Sequence, residues 1–86
     1  MSAPPAPAES SDLRVIVELF GGDPTGRKMI AWGRRIGCRE AGHGFDPRGG
    51  VYTRLLVLDS IPDQHTFLLE LADNPAGLRA MVPAGN

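Results

Sequence analysis

One stretch of this sequence decides the fold: Val51-Tyr52-Thr53-Arg54-Leu55-Leu56-Val57-Leu58-Asp59. Four apolar residues run together from Leu55 to Leu58, between a glycine-rich loop and the breaker Ser60-Ile61-Pro62. A short apolar run between turn-forming residues is typical of a strand buried on both faces, although a buried helix segment has the same periodicity. Such a strand needs a neighbour on each side and a covering layer, and the rest of the chain is expected to supply them.

The composition indicates one small domain. The chain has 86 residues, of which 42% are hydrophobic and 22% charged, as in ordinary globular proteins. Residues 1–12 carry three prolines and only one large apolar side chain, so we predict a disordered tail followed by a single domain over residues 13–83. The net charge of −1 and the lack of a long apolar run argue against a membrane partner. The single cysteine fits a reducing compartment, which predicts a cytoplasmic location.

Two more segments have a clear period. Residues 13–20 alternate in the manner of a strand, and the odd-numbered residues are expected to face the core. A helix is predicted between Asp23, a sound N-cap, and Gly37, a natural terminator. Its apolar stripe comprises Met29, Ile30, Trp32, Gly33 and Ile36. Gly33 within the stripe predicts a close helix–sheet contact, because a side chain there would hold the two layers apart.

The remaining segments are less regular. A second helix is predicted to start at Ser60, which has capping-box spacing with Asp63, and to end before Pro75. Its buried stripe is expected to contain Phe67, Leu68, Leu71 and Ala72. Residues 38–45 fit an edge strand or a long loop, and residues 78–82 fit a closing strand or a short third helix. We interpret both as strands because they complete a sheet.

The resulting order, β-α-β-β-α-β, resembles the split βαβ pattern of ferredoxin-like domains over roughly residues 13–83. In that pattern the first and third strands are the inner pair, and here they are the two most hydrophobic strand candidates. Edge positions tolerate weaker patterning. The predicted fold is therefore a small α+β two-layer sandwich. Since this architecture hosts many unrelated functions, function has to be argued from sites.

The second face of the inner strands predicts an interface. In a monomer it would leave five apolar side chains uncovered: Ile16, Phe20, Tyr52, Leu56 and Leu58. An apolar patch of that extent usually marks an interaction site. The first hypothesis is therefore a non-enzymatic binding module that docks a protein partner, or pairs as a homodimer, through a sheet face or an exposed edge.

The second hypothesis is anion or RNA binding by the basic helix, residues 25–36. The candidate ligands are Arg27, Lys28, Arg34 and Arg35, and the N–H groups at the helix start would add to them. Nucleic acid is the weaker of the two ligands, because the strand around Tyr52 lacks the aromatic pattern of RNA-recognition domains. Basic and acidic residues are unevenly distributed along the chain, and two solvated faces of opposite charge would also account for that distribution.

The third hypothesis is a small-molecule sensor or enzyme with a pocket between the helices and a sheet face, as in dimeric ferredoxin-like barrels. The available side chains are Cys38, His43, Asp46 and His65. Cys38 and His43 lack an identifiable orienting partner, and the four residues do not form two metal-ligand pairs. Asp46 and His43 are more simply read as part of a flexible hairpin tip. The sequence therefore predicts no catalytic residue, metal or cofactor.

Overall fold

The structure is a computed structural model that describes residues 14–83. Its elements are β1 (Arg14–Phe20), α1 (Pro24–Ile36), β2 (Arg39–Asp46), β3 (Gly50–Leu58), α2 (Gln64–Asp73) and β4 (Leu78–Pro83). The predicted disordered tail, residues 1–12, lies outside the described residues. The four strands form one antiparallel sheet in the order β2-β3-β1-β4, and both helices contribute to a core on one face of it. The predicted two-layer α+β architecture is confirmed.

The inner strands are β1 and β3, as predicted. Val17 lies opposite Leu55, and both side chains are fully buried under the helices, as is Leu19. Every second residue of β3 is partly exposed, however, including Leu56. The prediction that this strand is buried on both faces is wrong, because the two helices of the described residues cover the same side of the sheet.

Helix α1 begins and ends as the sequence predicts. The Asp23 carboxylate accepts hydrogen bonds from the N–H groups of Thr25 (2.9 Å) and Gly26 (3.2 Å), and Gly37 ends the helix at a positive φ of 107°. A Cβ on Gly33 would lie 2.8 Å from Leu55 Cδ1, so the predicted close approach of helix and sheet is confirmed.

Helix α2 starts later than predicted. The capping box is wrong: the helix begins at Gln64, and Asp63 at its N-cap makes no side-chain capping bond. Ile61 instead enters the core from the preceding turn. Phe67 and Leu71 are fully buried as expected, and the Trp32 ring of α1 meets Phe67 edge-on at 5.3 Å; Ala72 is exposed, contrary to the predicted stripe.

Both uncertain segments are strands at the edges of the sheet. Strand β2 pairs with β3, and most of it is exposed on both faces. Strand β4 pairs with β1 through a shift in register between Glu18 and Leu19. Glu18 lies opposite Ala80 and Leu19 opposite Leu78, so Arg79 is the extra residue of a β-bulge. Neither helix of residues 14–83 is long and apolar enough to cross a membrane.

Candidate functional site

The candidate site is the sheet face that points away from the helices, which we call the open face. Alternate residues of β1 and β3 project from it, so Ile16 lies beside Leu56 and Phe20 beside Tyr52. All five predicted interface residues lie on this face, and all five are partly exposed: Ile16, Phe20, Tyr52, Leu56 and Leu58. That they contact a partner stays a prediction.

One end of the open face is apolar. Leu56, Ile16 and Val82 lie side by side on β3, β1 and β4, and we call these three residues the apolar row. Val82, on the edge strand, is 43% exposed. Arg39 lies opposite Leu56, and Arg14 lies opposite Leu58 in the next row. Neither arginine forms an ion pair with another residue of 14–83, so positive charge flanks an apolar strip that neither helix of these residues covers.

The other end of the open face is a network of charged side chains, which we call the Arg79 cluster. Its members are Glu18, Asp46, Arg48, Tyr52, Arg54 and Arg79. The bulge places Arg79 so that Nη1 donates to Glu18 Oε1 and Nε donates to Asp46 Oδ2 at 2.8 Å. The guanidinium group also lies over the Tyr52 ring, 4.4 Å from its centroid. One side chain of β4 therefore contacts β1, β2 and β3.

Asp46 is the most constrained acid of the cluster. Only 5% of the residue is exposed, and Arg48 donates to its carboxylate from the backbone N–H (2.9 Å) and from the side chain. The hydrogen bonds from the Arg48 side chain and backbone, followed by those from Arg79, hold the pKa of Asp46 well below its usual range. The expected hairpin turn is present between β2 and β3, and Asp46 at its start is held by two arginines; the flexibility of the turn stays a prediction.

Glu18 occupies the centre of the network. It is 8% exposed, and its two carboxylate oxygens face Arg79 and Arg54. The Arg54 Nε atom lies 3.3 Å from Glu18 Oε2 but lacks hydrogen-bonding geometry, and it is buried without a partner in the described part of the chain. A buried N–H without a partner is costly. The network is therefore incompletely satisfied at Arg54.

The predicted anion-binding residues do not converge. Arg27 and Arg34 line one shallow groove of about 340 Å³ between α1 and β3, Lys28 lines another beside α2, and Arg35 lies on the exposed last turn of α1. Arg27 donates to the Gly21 carbonyl, and Arg34 pairs with Glu40 at 2.5 Å. The side chain of Asp23 already accepts from the N–H groups at the helix start, so that end of α1 offers no open anion cradle.

The candidate catalytic and metal-ligating residues are also dispersed. Cys38 is buried, and burial raises the pKa of its thiol to about 11, so the thiol is protonated near neutral pH. His43 lies opposite Thr53 on the helix side of the sheet, whereas Asp46 is on the open face, so they do not form an acid–base pair. Residues 14–83 contain no group of three His, Cys, Asp or Glu side chains able to hold a metal ion.

Sequence reasoning missed the Arg79 cluster. Arg79 falls in the segment whose secondary structure the sequence leaves open, and the bulge that directs its side chain has no local signature. One signal was present: Glu18 stands in the middle of an inner strand, where a carboxylate needs a basic partner. The nearest candidate by pattern was Arg54, directly opposite in the register. Comparison of the chain with protein-family models, curated proteins and solved structures finds no match.

Proposed function

We propose that this chain is a small non-enzymatic binding module that docks a protein partner through the open face. The observation that carries the proposal is the apolar row, which crosses three neighbouring strands and is covered by neither helix of the described residues. Uncovered apolar surface with a polar rim is typical of interaction sites. Arg14 and Arg39 supply such a rim at this end of the face.

For the fold itself we infer the ferredoxin-like arrangement. Its support is the element order β-α-β-β-α-β together with the strand order β2-β3-β1-β4, in which the first and third strands are central. The arrangement carries no function by itself. Docking is therefore inferred from the open face alone.

The charge of the open face favours a partner with acidic groups over a second copy packed face to face. Five arginines lie on this side of the sheet, and they outnumber the two carboxylates, Glu18 and Asp46. The arginines are Arg14, Arg39, Arg48, Arg54 and Arg79. Two copies packed through this face would oppose two surfaces of the same sign, whereas carboxylates around an apolar centre would complement it.

RNA is a weaker ligand for the same face. Bases bind to sheets by stacking on aromatic rings, and Tyr52 is the aromatic residue of β3 on the open face. Arg79 covers one side of the Tyr52 ring, and the ring lies so close to Gly44 that a Cβ there would overlap it. The rings of Phe20 and Tyr52 also pack edge to face, with their centroids 6.1 Å apart. Little of the Tyr52 ring is left for a base.

The test is binding with matched variants. Ile16→Asp places a charge in the apolar row, and Leu69→Asp places the same charge on α2, where Leu69 is 54% exposed. Proteins retained by immobilised wild-type chain are identified, and each is purified and titrated against all three forms by calorimetry. We expect a partner that binds wild type and Leu69→Asp equally and Ile16→Asp at least about tenfold more weakly. Circular dichroism and thermal unfolding check that both variants fold. Equal binding by both variants would contradict docking through the open face.

A further inference from the structure

A second surface feature lies beside the Arg79 cluster, where the β2–β3 turn approaches the start of β4. It is an open pocket of about 260 Å³, lined by Phe20, Arg48, Leu78 and Arg79. Two of these residues are apolar and two carry guanidinium groups. Both guanidinium groups donate to the same oxygen: Asp46 Oδ2 accepts from Arg79 Nε at 2.8 Å and from Arg48 Nη2 at 3.3 Å. The pocket thus combines an apolar wall with two convergent positive charges.

The two arginines retain donors for a ligand. A guanidinium group has five N–H donors. Arg79 uses Nε on Asp46 and Nη1 on Glu18, while Arg48 uses Nε and Nη2 on Asp46. Arg79 Nη2 and Arg48 Nη1 make no hydrogen bond within residues 14–83. The contacts of Arg79 with two carboxylates and the Tyr52 ring fix its guanidinium group before any ligand arrives, which lowers the entropy cost of binding.

The charge and the size of the pocket define the ligand. The three arginines of the Arg79 cluster exceed its two carboxylates by one positive charge, so one added negative charge neutralises it. A cavity of about 150 Å³ already accommodates benzene, and this pocket is larger. It has room for one ring or branched chain against Phe20 and Leu78, with a carboxylate at the arginines.

We propose that this pocket binds a small organic monocarboxylate with an apolar body, which lies against Phe20 and Leu78 while its carboxylate accepts hydrogen bonds from Arg48 and Arg79. This site is separate from the apolar row, and it does not depend on the docking of a protein partner. Recognition requires that the ligand carry its negative charge next to its apolar group. A neutral molecule of the same shape therefore lacks the main attraction.

The test is a titration of the isotope-labelled full chain with phenylacetate, followed by amide NMR. Phenylacetamide serves as the neutral control of the same shape. Arg48→Gln removes one guanidinium group from a side chain that is 87% exposed, so the fold is expected to survive. Arg35→Gln removes an exposed arginine from the last turn of α1 and is the matched control. All three proteins are titrated at the same ionic strength.

We expect saturable shifts of the amides of Phe20, Gly49 and Leu78 with phenylacetate, and no saturable shift with phenylacetamide. Arg48→Gln should weaken the binding of phenylacetate by at least about tenfold, as for a lost charge-assisted hydrogen bond, and Arg35→Gln should leave it unchanged. Saturation by phenylacetamide at the same concentration would overturn the proposal. So would equal affinities of wild type and Arg48→Gln, or shifts confined to residues outside the pocket.

Discussion

At the scale of single residues, Arg79 joins all four strands of the sheet. It belongs to β4 and contacts Glu18 of β1, Asp46 of β2 and Tyr52 of β3. Hydrogen bonds to Asp46 and then to Glu18 raise the pKa of the guanidinium group further above its ordinary value, so it stays charged at every pH of interest. Arg79 therefore keeps its charge over the pH range in which Asp46 titrates.

The lowered pKa of Asp46 predicts a pH-dependent contribution to stability. A carboxylate whose folded pKa is depressed stabilises the folded state above its unfolded pKa of about 3.9, and this contribution is lost as the pH falls through the folded value. Wild type should therefore exceed Asp46→Asn in urea midpoint at neutral pH, and the difference should shrink from about pH 5 downward. Asp59→Asn, an exposed change of the same kind outside the cluster, is the matched control. A difference between wild type and Asp46→Asn that is constant with pH would refute this role.

The close packing around Gly33 predicts that a larger residue at this position lowers stability. A Cβ at this position would lie 2.8 Å from Leu55 Cδ1 and 3.1 Å from Phe67 Cζ, inside the core between α1 and the sheet. Gly33→Val should therefore lower the free energy of unfolding by about 1–3 kcal/mol through overpacking. Ala31→Val, at an exposed position of the same helix, should cost only a few tenths of a kcal/mol. Urea unfolding measures the free energy of unfolding of both variants. Equal stabilities would show that the helix and sheet layers can move apart at no cost.

At the scale of elements, α2 is held to the sheet by few side chains. Phe67 is fully buried and receives the Trp32 ring edge-on, while Leu71 is the other buried side chain of the helix. Its N-cap makes no side-chain bond. Tertiary packing rather than capping therefore keeps this helix in place.

Phe67→Ala should accordingly cost about 3–5 kcal/mol. For a domain of this size such a loss corresponds to a decrease in Tm of at least about 12 °C. Leu69→Ala, on the exposed side of the same helix, should change the stability by no more than about 0.5 kcal/mol. Thermal unfolding followed by circular dichroism measures both variants. A Phe67→Ala protein as stable as Leu69→Ala would contradict the assignment of Phe67 to the core.

The elements also show what the sequence could reveal. The alternation of β1 and the stripe of α1 depend on local period, and both were predicted with their core-facing residues. The start of α2 was not predicted correctly, because Ile61 packs into the core from a turn rather than from a helix. The five residues of the open face followed from strand alternation. The Arg79 cluster did not, since it depends on a bulge and on a contact between residues 33 positions apart.

At the scale of the whole molecule, the two sides differ in charge. The open face carries an excess of arginines, whereas residues 59–73, which include α2, hold four acids and no Lys or Arg. Two copies packed through their open faces would repel each other, because both faces are positively charged. Packing of the open face of one copy on α2 of the next is a head-to-tail contact, which would build an open-ended assembly.

We expect the isolated chain to sediment as a monomer at micromolar concentration and moderate salt. The exposed Leu69 variant Leu69→Asp should behave in the same way. A stable dimer that Ile16→Asp dissociates would overturn the argument from charge while leaving the open face as the docking surface. Assemblies that grow with concentration and are lost in Leu69→Asp would point to α2 as the second surface.

Methyl cross-saturation NMR on the complex tests the docking surface most directly. The chain is labelled at its Ile, Leu and Val methyl groups and bound to an unlabelled, purified partner that wild type retains. We predict transfer to the methyl groups of Ile16, Leu56 and Val82, which form the apolar row, and none to Leu69 on α2. Transfer to Leu69 with silent methyl groups in the apolar row would contradict this prediction.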